Sequence, residues 1–452
     1  MRRSNILTIL SISVLLAVSI AVRVWYISSV PSPILTFDSF GYWYEHVALT
    51  RSFTPDVLIN PFRTPLYPAL ISAFVRLFGS GETQLYTQNF WKSMHAIVIF
   101  QSILGVISLL MFYASARILL GKKGMLPALF ISLLMAVNPI LFSWEASILT
   151  ESIGVFVLSA TVLLTMLLIQ KPSARRYILF LLVSVVGFLS KPAYIFVPLC
   201  TLPFVAVYRP RSHTIKIVAV ILLCYFSVPF LYIVGNTRLH GYPGISYIAD
   251  VNLLGQILRF NLPVESAKNQ PFYYRGVTKN REINGPTNPF RFLDAVNPDI
   301  YIVPEEMTEL QLFVRTVISH APLLFLSRVL VSLPNAVMDT SSLPAFIIPA
   351  SGAFAPVLTR AHKAFGILVP SAFFIVLLLP LTLRMFIKRK DRQSAMLLMI
   401  GTLSVLFVLT NSVLGYGEFE RLNAPVTPYI YLFVGYWGLL AASSIIRKKI
   451  NT

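Results

Sequence analysis

Runs of about twenty apolar residues, each closed by a short basic cluster, constrain this chain more than any other feature. A stretch of that length covers the roughly 30 Å hydrocarbon layer as a helix, and only helices or closed barrels satisfy their backbone groups there. The first run, Ile6 to Ile27, follows Arg2 and Arg3. Later runs start near Ala96, Met125, Thr150, Tyr177 and Tyr194, and a seventh ends near Val234. Three more run from about Phe365 to Ile387, from Ala395 to Leu414, and to the end at Arg447, Lys448 and Lys449. Basic clusters set the orientation, with both termini inside. This pattern predicts an all-α polytopic membrane protein of ten spans. The count becomes twelve if the runs Val314 to Met338 and Leu343 to Leu358, read as outer membrane-hugging helices, each cross.

The charges support that parity. The chain has 452 residues, 12% of them charged, against about a quarter in soluble domains. The net charge of +19 falls in short clusters between apolar runs, so it reports orientation rather than a nucleic-acid surface. Of the 18 acids, only Asp391 falls inside by this topology. The acids were not used to build the topology, so their segregation places the chemistry outside. Cys200 and Cys224 lie in apolar runs, no disulfide framework follows, and no Asn-x-Ser/Thr sequon occurs. A bacterial inner membrane, with the site facing the periplasm, is the expected location.

Three units are expected. Residues 1–235 form an N-terminal membrane module with a first outer loop at 28–95. Residues 236–364 form a long outer segment with its membrane-hugging helices, and 365–452 the last spans. In the first loop Leu66, Leu70, Phe74 and Leu77 recur at helical spacing, which suits a helix in the outer interface.

Asp38 is the first acid of the chain and is crowded by Phe37, Phe40, Tyr42, Trp43 and Tyr44. Desolvation by those rings is expected to raise its basicity. The plainer alternative is an aromatic interface belt with Asp38 at a helix start. Downstream stands Arg63-Thr-Pro65-Leu66-Tyr67-Pro68. An Asp after the first span, a Tyr-rich helix and this Arg-x-Pro-Leu-Tyr-Pro run resemble the first outer loop of the GT-C membrane glycosyltransferases. That group includes protein O-mannosyltransferases and lipid A aminoarabinose transferases. The resemblance implies a GT-C-like bundle, a polyprenyl-phosphate-linked sugar donor and an essential loop Asp. Tyr42, Tyr44 and Tyr67 fall on the matching positions as substrate contacts. Residues 415–425 are similar to the late loop that lines the donor site, which implicates Glu418.

Other residues enter on their own chemistry. Glu151 opens an apolar run with no basic neighbour in sequence, and an ionisable group at that depth is a functional candidate. Its alternative is a first-turn acid with Thr150 as cap. Glu145 is a weaker neighbour. Arg63, Lys191 and Arg421 are the outer cations suited to a donor phosphate. Lys191 in FLSKPAY keeps the charge where the family often has Arg, without the bidentate fork. Lys191 is otherwise an interface lysine, and Glu420 with Arg421 otherwise a local surface pair. His240, His320 and His362 read as interface residues. Asp38, Glu151 and Glu418 together suit a divalent cation such as Mg or Mn, and whether one is needed stays open.

No Gly-x-x-x-x-Gly-Lys-Ser/Thr and no His-Glu-x-x-His occurs. Every inside loop is short, so no domain for a nucleotide-sugar exists there. With the resemblance to the GT-C enzymes, these features imply an inverting glycosyltransferase with Asp38 as general base, acting on a lipid, glycan or protein acceptor at the outer face. The alternative is a secondary transporter or glycolipid flippase, but outer charge and dissimilar halves disfavour it. The sugar and the oligomeric state are not legible.

Overall fold

The structure is a computed structural model that describes residues 2–121, 124–296, 304–338, 349–366, 371–415 and 419–451. It is built from helices, and the one extended pairing among the described residues is a single parallel bridge between Ile34 and Ser147. Among the described residues, five helices are long and apolar enough to cross a membrane. They lie in α1 (Arg2–Ser29), α4 (Gln88–Leu120), α6 (Glu151–Gln170), α8 (Ser212–His240) and α14 (Arg392–Leu414). Two bent pairs raise the number to seven if each is one span. The chain is an integral membrane protein of the helical class that the apolar runs dictate.

Several apolar runs do not form straight spans. The run Met125 to Phe142 breaks after α5 (Met125–Ala136) and bends by 55°. There Asn138 takes over as a cap, accepting from the Ile140 N–H at 3.0 Å, with Pro139 at the first helical position. The run from Tyr194 to Arg209 is a chain of short pieces, Pro192–Phe196, Val197–Thr201 and Pro203–Tyr208. Each begins at or next to a proline, which lacks the N–H that would continue the preceding turn. In the outer segment, Pro322 separates α10 (Pro304–His320) from α11 (Pro322–Met338), and the chain turns by 90°. Of the expected run from Leu343, residues 343–348 lie outside the described residues. The chain resumes through Pro349–Phe354 into α12 (Ala355–Gly366).

The first loop holds α2 (Phe37–Arg51) and α3 (Leu66–Phe78). Ser39 starts α2 by accepting from the Thr36 N–H at 2.9 Å, and Asp38 sits in the first turn, where the helix dipole favours a carboxylate. In α3 the core face is Tyr67, Ile71 and Val75, all fully enclosed. Leu66, Leu70 and Phe74 are half-buried beside them, and Leu77 is 74% exposed on the interface side.

One core cluster joins residues from Leu15 to Tyr436, so the last helices pack into the same interior as the first. A second lies under the first loop around Tyr67, Trp43 and Phe142. A third belongs to the outer segment and surrounds α9 (Tyr247–Phe260) and α10. Asp391 caps α14, accepting from the Ser394 N–H at 2.7 Å.

Candidate active site

Five charged side chains far apart in sequence meet at one end of the bundle. Asp38 comes from the first turn of α2, and Arg63 from the turn before α3. Glu151 is the first residue of α6, and Lys191 caps the C-terminus of α7 (Ala174–Ser190). Arg421 belongs to the short α15 (Phe419–Asn423), which precedes α16 (Thr427–Asn451). Arg63 Nη2 reaches Asp38 Oδ1 at 2.6 Å, and Arg421 Nη2 reaches Asp38 Oδ2 at 2.9 Å. Arg421 Nε stands 3.4 Å from Glu151 Oε1, which also takes Lys191 Nζ at 3.1 Å. Arg421 therefore joins the two carboxylates.

Among the described residues, this network sets three cations against two carboxylates. Glu151 is enclosed, with 5% of its side chain accessible, whereas Asp38 is the open member at 27%. Burial opposes ionisation of Asp38, but the Arg63 and Arg421 guanidiniums outweigh it and hold its carboxyl well below the usual range. This reverses the expectation that desolvation makes Asp38 more basic. Arg63 lies over the Tyr42 ring at 4.7 Å, and its Nε has no hydrogen-bond partner among the described residues.

The remaining residues fall in different places. Tyr42 is buried under Arg63, and Tyr67 meets it edge-on at 4.8 Å. Tyr67 is fully enclosed, and its hydroxyl donates to Gln101 Oε1 at 2.7 Å. Its ring is therefore enclosed between Tyr42 and Gln101. Tyr44 is 64% exposed. Glu418 lies outside the described residues. Thr150 makes no side-chain cap bond to α6. The expected surface pair of Glu420 with Arg421 gives way to two separate bonds: Glu420 pairs with His362, and Arg421 with Asp38. His362 is enclosed rather than interfacial, and the His240 ring lies against the Ile59 carbonyl at 2.7 Å.

Of the three carboxylates expected to suit a divalent cation, Asp38 and Glu151 lie in this network, and Glu418 lies outside the described residues. No cluster of three or more His, Cys, Asp or Glu side chains forms among them. Both carboxylates of the network are paired with guanidinium or ammonium groups.

Three features of this end of the bundle escaped the sequence reading. Arg23 and Glu145 form an enclosed pair at 2.6 Å. Arg23 interrupts the first apolar run, and an ionisable residue within a span is itself a signal. Gln101 is fully buried at a site no motif marks. Glu45 lies two turns beyond Asp38 on α2, with Oε2 accepting from Asn60 Nδ2 at 3.1 Å.

Burial pushes the Glu45 carboxyl up to about 7, against the lowering effects of Arg63 and Asn60. Between the unfolded value near 4.3 and about 7 the folded chain holds a proton that the unfolded chain releases. Stability is therefore greatest below that window, falls as pH rises through it, and levels off above. Glu45→Gln is expected to remove this slope and to be the more stable protein at pH 8, by on the order of 2–3 kcal/mol. Denaturation midpoints in detergent from pH 5 to 8 check this. Parallel curves for the two proteins would show that Glu45 does not titrate in that window.

Residues 60–233 match a family model described as dolichyl-phosphate-mannose-protein mannosyltransferase. The chain resembles the GT-C membrane glycosyltransferases. The matched segment carries Arg63, Glu151 and Lys191; Asp38 and Arg421 lie outside it and join it only in space. Among solved structures, the archaeal oligosaccharyltransferase AglB from Archaeoglobus fulgidus, in complex with an inhibitory peptide and a dolichol-phosphate, is 14% identical with a TM-score of 0.49. That comparison covers 98% of this chain and 51% of AglB, so the chain spans about half the length of that relative. ArnT from Cupriavidus metallidurans, bound to undecaprenyl phosphate, is 14% identical with a TM-score of 0.36, covering 94% of this chain and 77% of ArnT. No curated protein matches the sequence.

Proposed function

We propose that the chain is an inverting glycosyltransferase that moves a sugar from a polyprenyl-phosphate donor to an acceptor hydroxyl at the outer face. The observation that carries this reading is the five-residue network with its surplus positive charge. The described donor of the matched family, a dolichyl-phosphate sugar, supports a lipid-linked phosphate as the group that meets it. The basic inside loops and the acids gathered at the network's end support an outward-facing site.

In this mechanism the acceptor oxygen attacks the anomeric carbon from the face opposite the phosphate. The carbon–oxygen bond to phosphate breaks, and its electron pair leaves on the phosphate oxygen. Polyprenyl phosphate is a good leaving group and needs little protonation, so a base for the acceptor and cations for the phosphate suffice. Arg63, Lys191 and Arg421 hold the phosphate. Each guanidinium has five donors, of which the carboxylates use few, so a phosphate shares rather than evicts them. Asp38 receives the acceptor proton. Glu151 keeps Lys191 and Arg421 in place. These three cations supply the electrostatic stabilisation that a metal would otherwise give, so transfer is expected to survive chelation.

Purified protein in liposomes, offered a panel of polyprenyl-phosphate sugars and assayed for lipid and product, tests the reading directly. Lys191→Ala and Arg421→Ala are expected to weaken donor binding by about tenfold or more, since each charge-assisted bond is worth about 1.5–3 kcal/mol. Absence of turnover with every donor, with unchanged donor affinity in both variants, would overturn it.

A further inference from the structure

Gln101 joins three elements through three side-chain hydrogen bonds. Its Nε2 donates to the Glu145 carbonyl at 2.8 Å and the Ser147 carbonyl at 2.7 Å, while Oε1 accepts from the Tyr67 hydroxyl at 2.7 Å. Two carbonyl acceptors at one end fix that end as the amide nitrogen. The side chain is fully enclosed in α4, where an unmet amide is costly, so the joint is stiff.

Two routes lead from this joint to the charged network. Through Tyr67 it reaches the edge of Tyr42, which carries the Arg63 guanidinium that grips Asp38. Through the turn at 145–147 it reaches the strand before α2. There the Ile34 N–H donates to the Ala146 carbonyl at 2.9 Å, and the Ile148 N–H to the Ile34 carbonyl at 3.0 Å. Asp38 follows Ile34 by four residues, and Glu151 follows Ile148 by three. The same turn thus fixes the entry to both carboxylates.

We infer that Gln101 is a positioning residue that holds the Asp38 loop and the Glu151 turn in register. The inference rests on the proposed transfer reaction for its catalytic consequence, and on bond geometry for the register itself. Gln101 touches no member of the charged network and acts through Tyr67 and the 145–147 turn. Near-attack geometry is sensitive to displacements of about 1 Å, so loss of the joint falls on turnover rather than on donor affinity.

Gln101→Leu is expected to lower kcat at least tenfold with the donor KM within twofold of wild type. Tyr67→Phe keeps the ring against Tyr42 but loses its bond, lowers kcat less, and adds nothing to Gln101→Leu in the double variant. A cysteine pair reads the register without any assay of transfer. Adjacent strands sit about 4.8 Å apart, within disulfide reach. Ile34→Cys with Ser147→Cys, in a Cys200→Ala, Cys224→Ala background, should therefore close under mild oxidant. Gln101→Leu should slow that closure at least tenfold. Once closed, the disulfide should return kcat to the Gln101→Leu protein, and reduction should remove it again. Wild-type closure and wild-type kcat in Gln101→Leu would overturn the inference, as would a closed disulfide that restores thermal stability but not kcat. If Gln101→Leu does not insert, a wild-type kcat in Tyr67→Phe overturns it instead. A wild-type chain that transfers no sugar would defeat the proposed function alone, because the closure rates still report the register.

Discussion

Asp38→Asn is expected to lower transfer about 10²- to 10⁴-fold, the usual contribution of a positioned base, while the lipid donor binds as tightly as before or more tightly. The sign of the binding effect follows from charge. With Asp38 ionised the network of Asp38, Glu151, Arg63, Lys191 and Arg421 carries one surplus positive charge, and with Asn it carries two. A phosphate meets a stronger field in the variant. Turnover falls because asparagine accepts no proton at neutral pH. The two guanidiniums that keep Asp38 ionised also make it a weak base in the resting protein. Donor binding resolves this, since phosphate oxygens draw on the same arginines and leave the carboxylate freer to accept a proton. Because the carboxyl is held low, kcat/KM is expected to show no acid limb from Asp38 between pH 6 and 8. Donor binding by fluorescence or calorimetry, beside single-turnover transfer, separates the two effects. An Asp38→Asn protein with near-normal turnover sinks the base assignment. One that neither folds nor inserts makes Asp38 a structural residue.

The second large effect concerns stability. Arg23→Leu is expected to destabilise the fold by about 3–5 kcal/mol, the cost of breaking an enclosed ion pair by removing one partner. Arg23 Nη2 lies 2.6 Å from Glu145 Oε1, with 5% of each side chain accessible. α4 has a glycine at the point of closest approach: a Cβ at Gly105 would stand 2.0 Å from Glu145 Oε1 and 2.8 Å from Arg23 Nη2. Glycine there lets α4 approach the pair closely, and loss of Arg23 would leave Glu145 as an uncompensated carboxylate. Arg23→Leu combined with Glu145→Leu removes both charges and should recover most of the loss, because a well-packed apolar pair is often as stable as the ion pair it replaces. Denaturation midpoints for the wild type, both single variants and the double variant form the test. A double variant no more stable than Arg23→Leu would mean that the pair is not the unit that matters.

Much of the membrane architecture was legible because apolar runs and basic clusters are local. Helices α1, α4, α6, α8 and α14 stand where the hydropathy of the chain puts them, since each buries its backbone polar groups within itself. What the runs did not reveal was continuity. Pro198, Pro203 and Pro322 break segments that the apolar runs present as continuous. The candidate site divides in the same way. Asp38, Arg63, Glu151, Lys191 and Arg421 could each be picked out as an outer charge or by resemblance of the loop around it. Their electrostatics could not, because a carboxylate's basicity depends on partners contributed by distant segments. Arg421 lies 383 residues from Asp38. Reading the rings around Asp38 alone gave desolvation and the wrong sign; Arg63 and Arg421, folded onto it, decide the charge. The sequence by itself determined a helical membrane protein and the kinds of charge at its outer end. Only the tertiary structure decided that those charges form one network, that Tyr67 is enclosed, and that Gln101 bonds to both Tyr67 and the 145–147 turn, because each of these depends on which helix ends packing brings side by side.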